Sequence, residues 1–170
     1  MWTHIVLLIV LSICVITDLK NRKIYNIVIF PAMVFAFLFH VLSDGWAGLG
    51  FSLLGFTLGL AILIIPFLMG GMGAGDVKLL ALVGALQGAE FVFSAAVYMA
   101  LIGSVMALAI VLFKDGIRER LQFAGFILIC LRFRIRPNLQ GYWTTGAYPY
   151  GVAIAGGAAV CLWLKGWGAG

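Results

Sequence analysis

The stretch Pro66 to Gly84, "PFLMGGMGAGDVKLLALVG", sets four glycines (Gly70, Gly71, Gly73 and Gly75) and then Asp76 and Lys78 between two long apolar runs. Its surroundings make that unusual. Of 170 residues, 64% are hydrophobic and 10% are charged, against about 25% charged in a soluble domain. Such a composition predicts a membrane protein, and the absence of a linker, repeat or low-complexity tract predicts one membrane-embedded domain over residues 1–170.

Working outward, six apolar segments stand out at 2–17, 27–42, 47–69, 77–88, 91–113 and 147–164. They predict an all-α polytopic protein of about six transmembrane helices, with a Gly-rich loop before a short fourth helix. The first segment lacks a basic n-region and a small-residue cleavage site, so it is expected to stay as a helix. The fourth, about 12 residues at ~1.5 Å each, reaches only ~18 Å of a ~30 Å hydrocarbon core. Either it continues past Glu90 toward Phe93, or the Gly-rich break dips into the membrane. Pro66 is expected to kink the end of the third segment. Gly55 and Gly59, like Gly84 and Gly88, have the G-x-x-x-G spacing that lets helix backbones approach closely.

The charges alternate sharply from break to break. Lys20, Arg22 and Lys23 occupy the first, Lys78 borders the third, and Lys114, Arg118, Arg120, Arg132, Arg134 and Arg136 lie in the fifth; the second and fourth hold only Asp44 and Glu90. Ten of the eleven basic residues therefore fall on one face, with Lys165 the exception. By the positive-inside rule that face is cytoplasmic, both termini lie outside, and the net charge of +5 reports topology rather than nucleic-acid binding. Leu121 to Leu131, apolar but short and flanked by arginines, is expected to lie at the interface on anionic lipid.

Metal and disulfide chemistry find little support. Cys14, Cys130 and Cys161 are scattered and odd in number. His4 and His40 lack a third ligand and are expected as interface residues, so neither a metal nor a cofactor is expected. Cys14 shares a helix face with Asp18 and reads as packing. Lys78 reads as a snorkelling anchor or as a substrate contact.

Two acids remain. Asp18 and Asp76 stand at the cytoplasmic ends of apolar segments, where carboxylates are costly and rarely idle. Each has a plain alternative: Asp76 could be the N-cap of a helix starting at Val77, and Asp18 a surface acid paired with Lys20, Arg22 or Lys23. Taken together they suggest hydrolysis by two carboxyl groups, one deprotonating a water and one protonating a carbonyl oxygen. Helix dipoles favour Asp76 as base and Asp18 as acid, although a coupled pair acts as a unit. A small transporter relaying ions or protons through the same two acids is the rival class.

"GMGAGDVKLL", with Gly73, Gly75 and Asp76 as a G-x-G-D, resembles the signature of the GXGD intramembrane aspartic proteases, in particular the type IV prepilin leader peptidases. "TDLKNRKIYN", with Asp18, a basic run, Ile24 and Asn26, is similar to that family's first motif, and "YPYGVAIAGG", Tyr148 to Gly157, to the segment opening its last helix. The resemblance implies that Asp18 and Asp76 are catalytic and that prepilin-like proteins are cut after a short basic leader at the cytoplasmic face of the cell membrane, with the pilus assembly machinery as a further partner. The break after the first segment is about nine residues and lacks cysteine, unlike the larger bacterial members, so no methyltransferase activity is expected. The short form associated with Flp-type pili, or a relative cutting archaeal preflagellins, fits best. Tyr25 stands where proline is common. Gly73 and Gly75, with Gly70 and Gly71, would take positive φ and let an extended substrate approach Asp76, with Gly73, Gly75 and Lys78 forming the substrate-binding set.

The charge pattern is testable directly. With cysteine introduced at Asn21 and Asn138, an impermeant thiol reagent should modify neither site in intact cells and both in lysed cells; labelling of either from outside would reverse the topology.

Overall fold

The computed structural model describes residues 2–21, 24–113 and 150–164, and all regular structure among them is α-helical. The helices are α1 (Trp2–Asn21), α2 (Asn26–Leu68), α3 (Ala74–Gln87), α4 (Ala89–Phe113) and α5 (Tyr150–Leu164). Residues 2–103 and 150–164 belong to one compact unit, which holds every tertiary contact described below; a second unit begins at Ser104, within α4. Trp2–Asn21, Asn26–Leu68 and Ala89–Ala109 are each long and apolar enough to cross a membrane, and α5 is a shorter apolar helix. This is the architecture of an all-α membrane protein, with five helices among the described residues where the sequence predicts about six. The interfacial helix expected over Leu121 to Leu131 lies outside the described residues.

The difference in helix number comes from α2. Its 43 residues would extend ~65 Å if straight, about twice a hydrocarbon core. They are not straight, because Gly45 has φ 59° and ψ −134°, outside the helical region and easily reached only without a Cβ. The limbs fold back from this point. Phe37 and Phe56 have ring centroids 5.9 Å apart and His40 and Phe51 5.2 Å apart, whereas 19 residues of straight helix would separate the first pair by ~28 Å. The expected second and third segments are thus the limbs of one helical hairpin. Pro66, expected to kink its end, sits in the last turn, and its carbonyl accepts the Gly71 N–H at 3.0 Å.

At the centre lies α3. Val77 and every residue from Leu79 to Leu86 are buried, so this helix is apolar on all sides because it is enclosed on all sides. Its 14 residues rise only ~21 Å. Continuation toward Phe93 does not occur: Gly88 has φ 85° and separates α3 from α4, and a Cβ there would overlap the Phe51 ring.

Lipid tails are as apolar as leucine, so close packing rather than water exclusion must hold these helices together. The two G-x-x-x-G pairs supply it by meeting each other. A Cβ on Gly55 would overlap the Gly84 carbonyl, one on Gly84 would overlap the Gly55 carbonyl, and one on Gly59 would stand 2.5 Å from Leu80 O. Farther along α3, two of its terminal carbonyls are satisfied from α2: Ser52 Oγ donates to Ala85 O at 2.7 Å, and His40 Nε2 lies 3.2 Å from Leu86 O. His40 is buried, and its ring is engaged at this helix end.

The crossing predicts a sharp contrast. Gly84→Leu should force two backbones apart and cost at least ~1–3 kcal/mol, lowering the unfolding temperature in detergent. Gly50→Leu, at a position with open space around it, should leave it unchanged. Equal melting of both variants would refute the contact.

Candidate active site

Helical spacing decides where Asp18 points. The buried residues of α1 are Thr3, Leu7, Val10, Leu11, Cys14 and Asp18, a stripe at intervals of three and four, so the acid continues the core face. It is 6% exposed, and its Oδ2 accepts the backbone N–H of Gly151, at the start of α5, at 3.0 Å. Asp18 is therefore enclosed by the protein rather than lying on its surface.

Asp76 enters from α3. The helix begins at Ala74, earlier than expected, with Gly73 as an extended N-cap at φ −79° and ψ 149°. Asp76 is therefore not the N-cap of a helix starting at Val77 but the third residue of the first turn. Its Oδ2 reaches back to accept the Gly73 N–H at 3.2 Å, while its own N–H donates to Gly73 O at 3.1 Å. Gly73 has no side chain, so this is only half of a capping box. Asp76 is 8% exposed, buried more than a helix cap requires.

Both acids line one pocket of about 350 Å³, walled by Gly73 and Gly75 on one side and by Ile24, Tyr25 and Asn26 on another. A second cavity, of about 230 Å³, is lined by His4, Leu8, Ala159, Leu162 and Trp163 and contains no carboxylate. Two carboxyl groups facing one cavity can divide the tasks of proton acceptor and donor. The dipole argument that set them apart does not survive the fold: Asp18 ends α1 but also receives the N-terminal end of α5, so each acid lies beside a helix N-terminus.

The glycines act differently from expectation. Among Gly70, Gly71, Gly73 and Gly75, only Gly70 has positive φ, at 76°. Gly75 is helical and is crowded by the chain itself, since a Cβ there would stand 2.9 Å from Ile24 Cβ. Gly75 thus lets the segment before α2 cross the start of α3, which closes the pocket. Lys78 is not among the lining residues; its Nζ donates to Asn26 Oδ1 at 3.1 Å and lies 5.4 Å from the centre of the Phe30 ring. It fixes a pocket wall from behind.

Sequence reasoning left Ile24, Tyr25 and Asn26 without a place and gave Gly151 no partner. The signals were present in the motifs "KIYN" and "PYG", but spacing alone does not say which ends of two separate helices meet. Among the described residues no three His, Cys, Asp or Glu cluster as metal ligands would.

A family model described as the type IV leader peptidase family matches residues 5–112. No curated protein and no solved structure matches the chain. The family match covers well over half of the sequence and takes in both pocket acids, and on that ground the protein belongs to the type IV leader peptidase family.

Proposed function

We infer that the protein is an aspartic endopeptidase working at the cytoplasmic face of the cell membrane, where it removes the basic leader from prepilin-like proteins of the Flp type. The observation carrying this reading is the convergence of two buried acids, Asp18 and Asp76, from two helices, on one pocket. Family membership supplies the substrate class, and the short connection between α1 and α2 favours peptidase activity without methyl transfer.

In the reaction, one carboxylate takes a proton from water as the oxygen attacks the scissile carbonyl carbon. The other carboxyl group gives its proton to the carbonyl oxygen, forming a neutral tetrahedral diol. Collapse of the diol breaks the C–N bond, with a proton passed to the leaving nitrogen. An extended substrate is required, because helical carbonyls are engaged by their own hydrogen bonds. Gly73, without a side chain beside Asp76, keeps that side of the pocket low enough for a substrate backbone to enter, while Gly75 makes room for Ile24. Lys78 contributes through Asn26, which it holds at the opposite wall.

The dyad is tested by cleavage of a purified prepilin in detergent, with no ion gradient. Asp18→Asn and Asp76→Asn should each lose at least ~10²-fold in rate, while Asp44→Asn and Glu90→Gln, both at exposed positions, should keep it. Asp76→Ser retains a small polar side chain in the first turn of α3 but no base, and should be folded and inactive. Wild-type rates in Asp18→Asn or Asp76→Ser would exclude that acid from the chemistry, and uncut prepilin alongside gradient-driven ion movement would favour a transporter.

A further inference from the structure

Gly151 is the second residue of α5 and lies outside the family match. Its N–H is bound to Asp18 Oδ2 across 133 residues of sequence, with both residues buried. The approach is as close as a residue without a side chain permits. A Cβ on Gly151 would stand 2.7 Å from Oδ2, 3.2 Å from Cγ and 3.3 Å from the Asp18 Cβ.

From this geometry we propose that Gly151 is a positioning residue for the reaction. Its N–H holds one oxygen of Asp18, and its missing side chain leaves the room in which the carboxylate turns toward the pocket shared with Asp76. The inference rests on Asp18 being one of the reacting acids.

Three considerations support it. An N–H bound to a carboxylate is among the stronger, more directional hydrogen bonds, and the first turn of a helix offers N–H groups that have no partner within the helix. Proton transfer between a carboxyl group and a water or carbonyl oxygen requires contact within about 3 Å, so a small rotation of Asp18 costs rate without altering what binds. The clash a Cβ would cause also falls on the far end of a side chain, which can swing aside. Gly157, on the same helix, differs in kind: a Cβ there would stand 2.5 Å from Ala95 O and 2.6 Å from Met99 N, both main-chain atoms of α4. The first clash displaces a reacting group, whereas the second separates helices.

The experiment compares two changes at residue 151 in the full-length protein. Gly151→Ala keeps the N–H and adds the Cβ. A backbone ester between Tyr150 and residue 151, made by incorporating glycolic acid there, replaces the N–H with an oxygen and adds no side chain, so it stays informative if the alanine variant folds poorly. Each should lower kcat at least ~10-fold with KM within about twofold, at an unchanged unfolding temperature. Gly157→Ala should instead lower the unfolding temperature and keep the kcat of the folded fraction. Wild-type kcat in either the alanine or the ester variant, or a loss confined to KM, overturns the proposal. Asp18→Asn is assayed alongside: if it still processes prepilin, the dyad itself is wrong. If it is inactive while a residue 151 variant turns over normally, only the positioning role fails.

Discussion

The crossing of Gly55 and Gly84 is a contact between two main chains, and the placement of α3 depends on it. In lipid there is little net gain from hiding one apolar helix behind another, so dispersion at short range has to do what water exclusion does in a soluble core. Side chains on either glycine would hold the helices apart and loosen every layer above and below. In the same turn of α3, Ser52 and His40 tie its terminal carbonyls to the second limb and to the first limb of α2, respectively. One contact sets how near the helices lie, and the other two set how far α3 slides along its axis. Asp76 stands one turn into a helix restrained in both respects.

Placement along the axis matters because the polar groups of the pocket come from separate parts of the chain. The end of α1, the segment before α2, the start of α3 and the start of α5 meet at one end of the unit. This requires α2 to go out and return, as the fold-back at Gly45 achieves. The arrangement agrees with the alternation of basic breaks in the sequence, which assigns the same three connections to one face.

Much of this was legible in the residues alone. Apolar runs and charge alternation give the helical class, and both acids were marked by their unfavourable position at the ends of apolar segments. What spacing did not disclose was the environment of each acid. Asp18 looked like a carboxylate at the wrong end of a dipole because its own helix was the only one in view; the N–H that meets it comes from a helix 133 residues away. Asp76 looked like an N-cap because the apolar run starts at Val77, yet α3 begins at Ala74, where two small residues carry no hydropathy signal. Gly75 looked like space for a substrate and is filled in part by Ile24. For Asp18 and Gly75 the missing information was which backbone lies next to which, and hydrophobic periodicity does not encode that.

The turn at Gly45 faces away from all of this. No heavy atom outside its immediate neighbours lies within 4 Å of where its Cβ would be, and the limbs on either side are held together by the packing of Phe37 on Phe56 and of His40 on Phe51. Chain inserted here would meet no packed surface, and the entropy of closing a longer loop rises only with the logarithm of its length. The hairpin is accordingly a natural port for an epitope or a small fluorescent domain, and the place where the protein could be divided into two co-expressed pieces with the end of α1 on one and the start of α3 on the other.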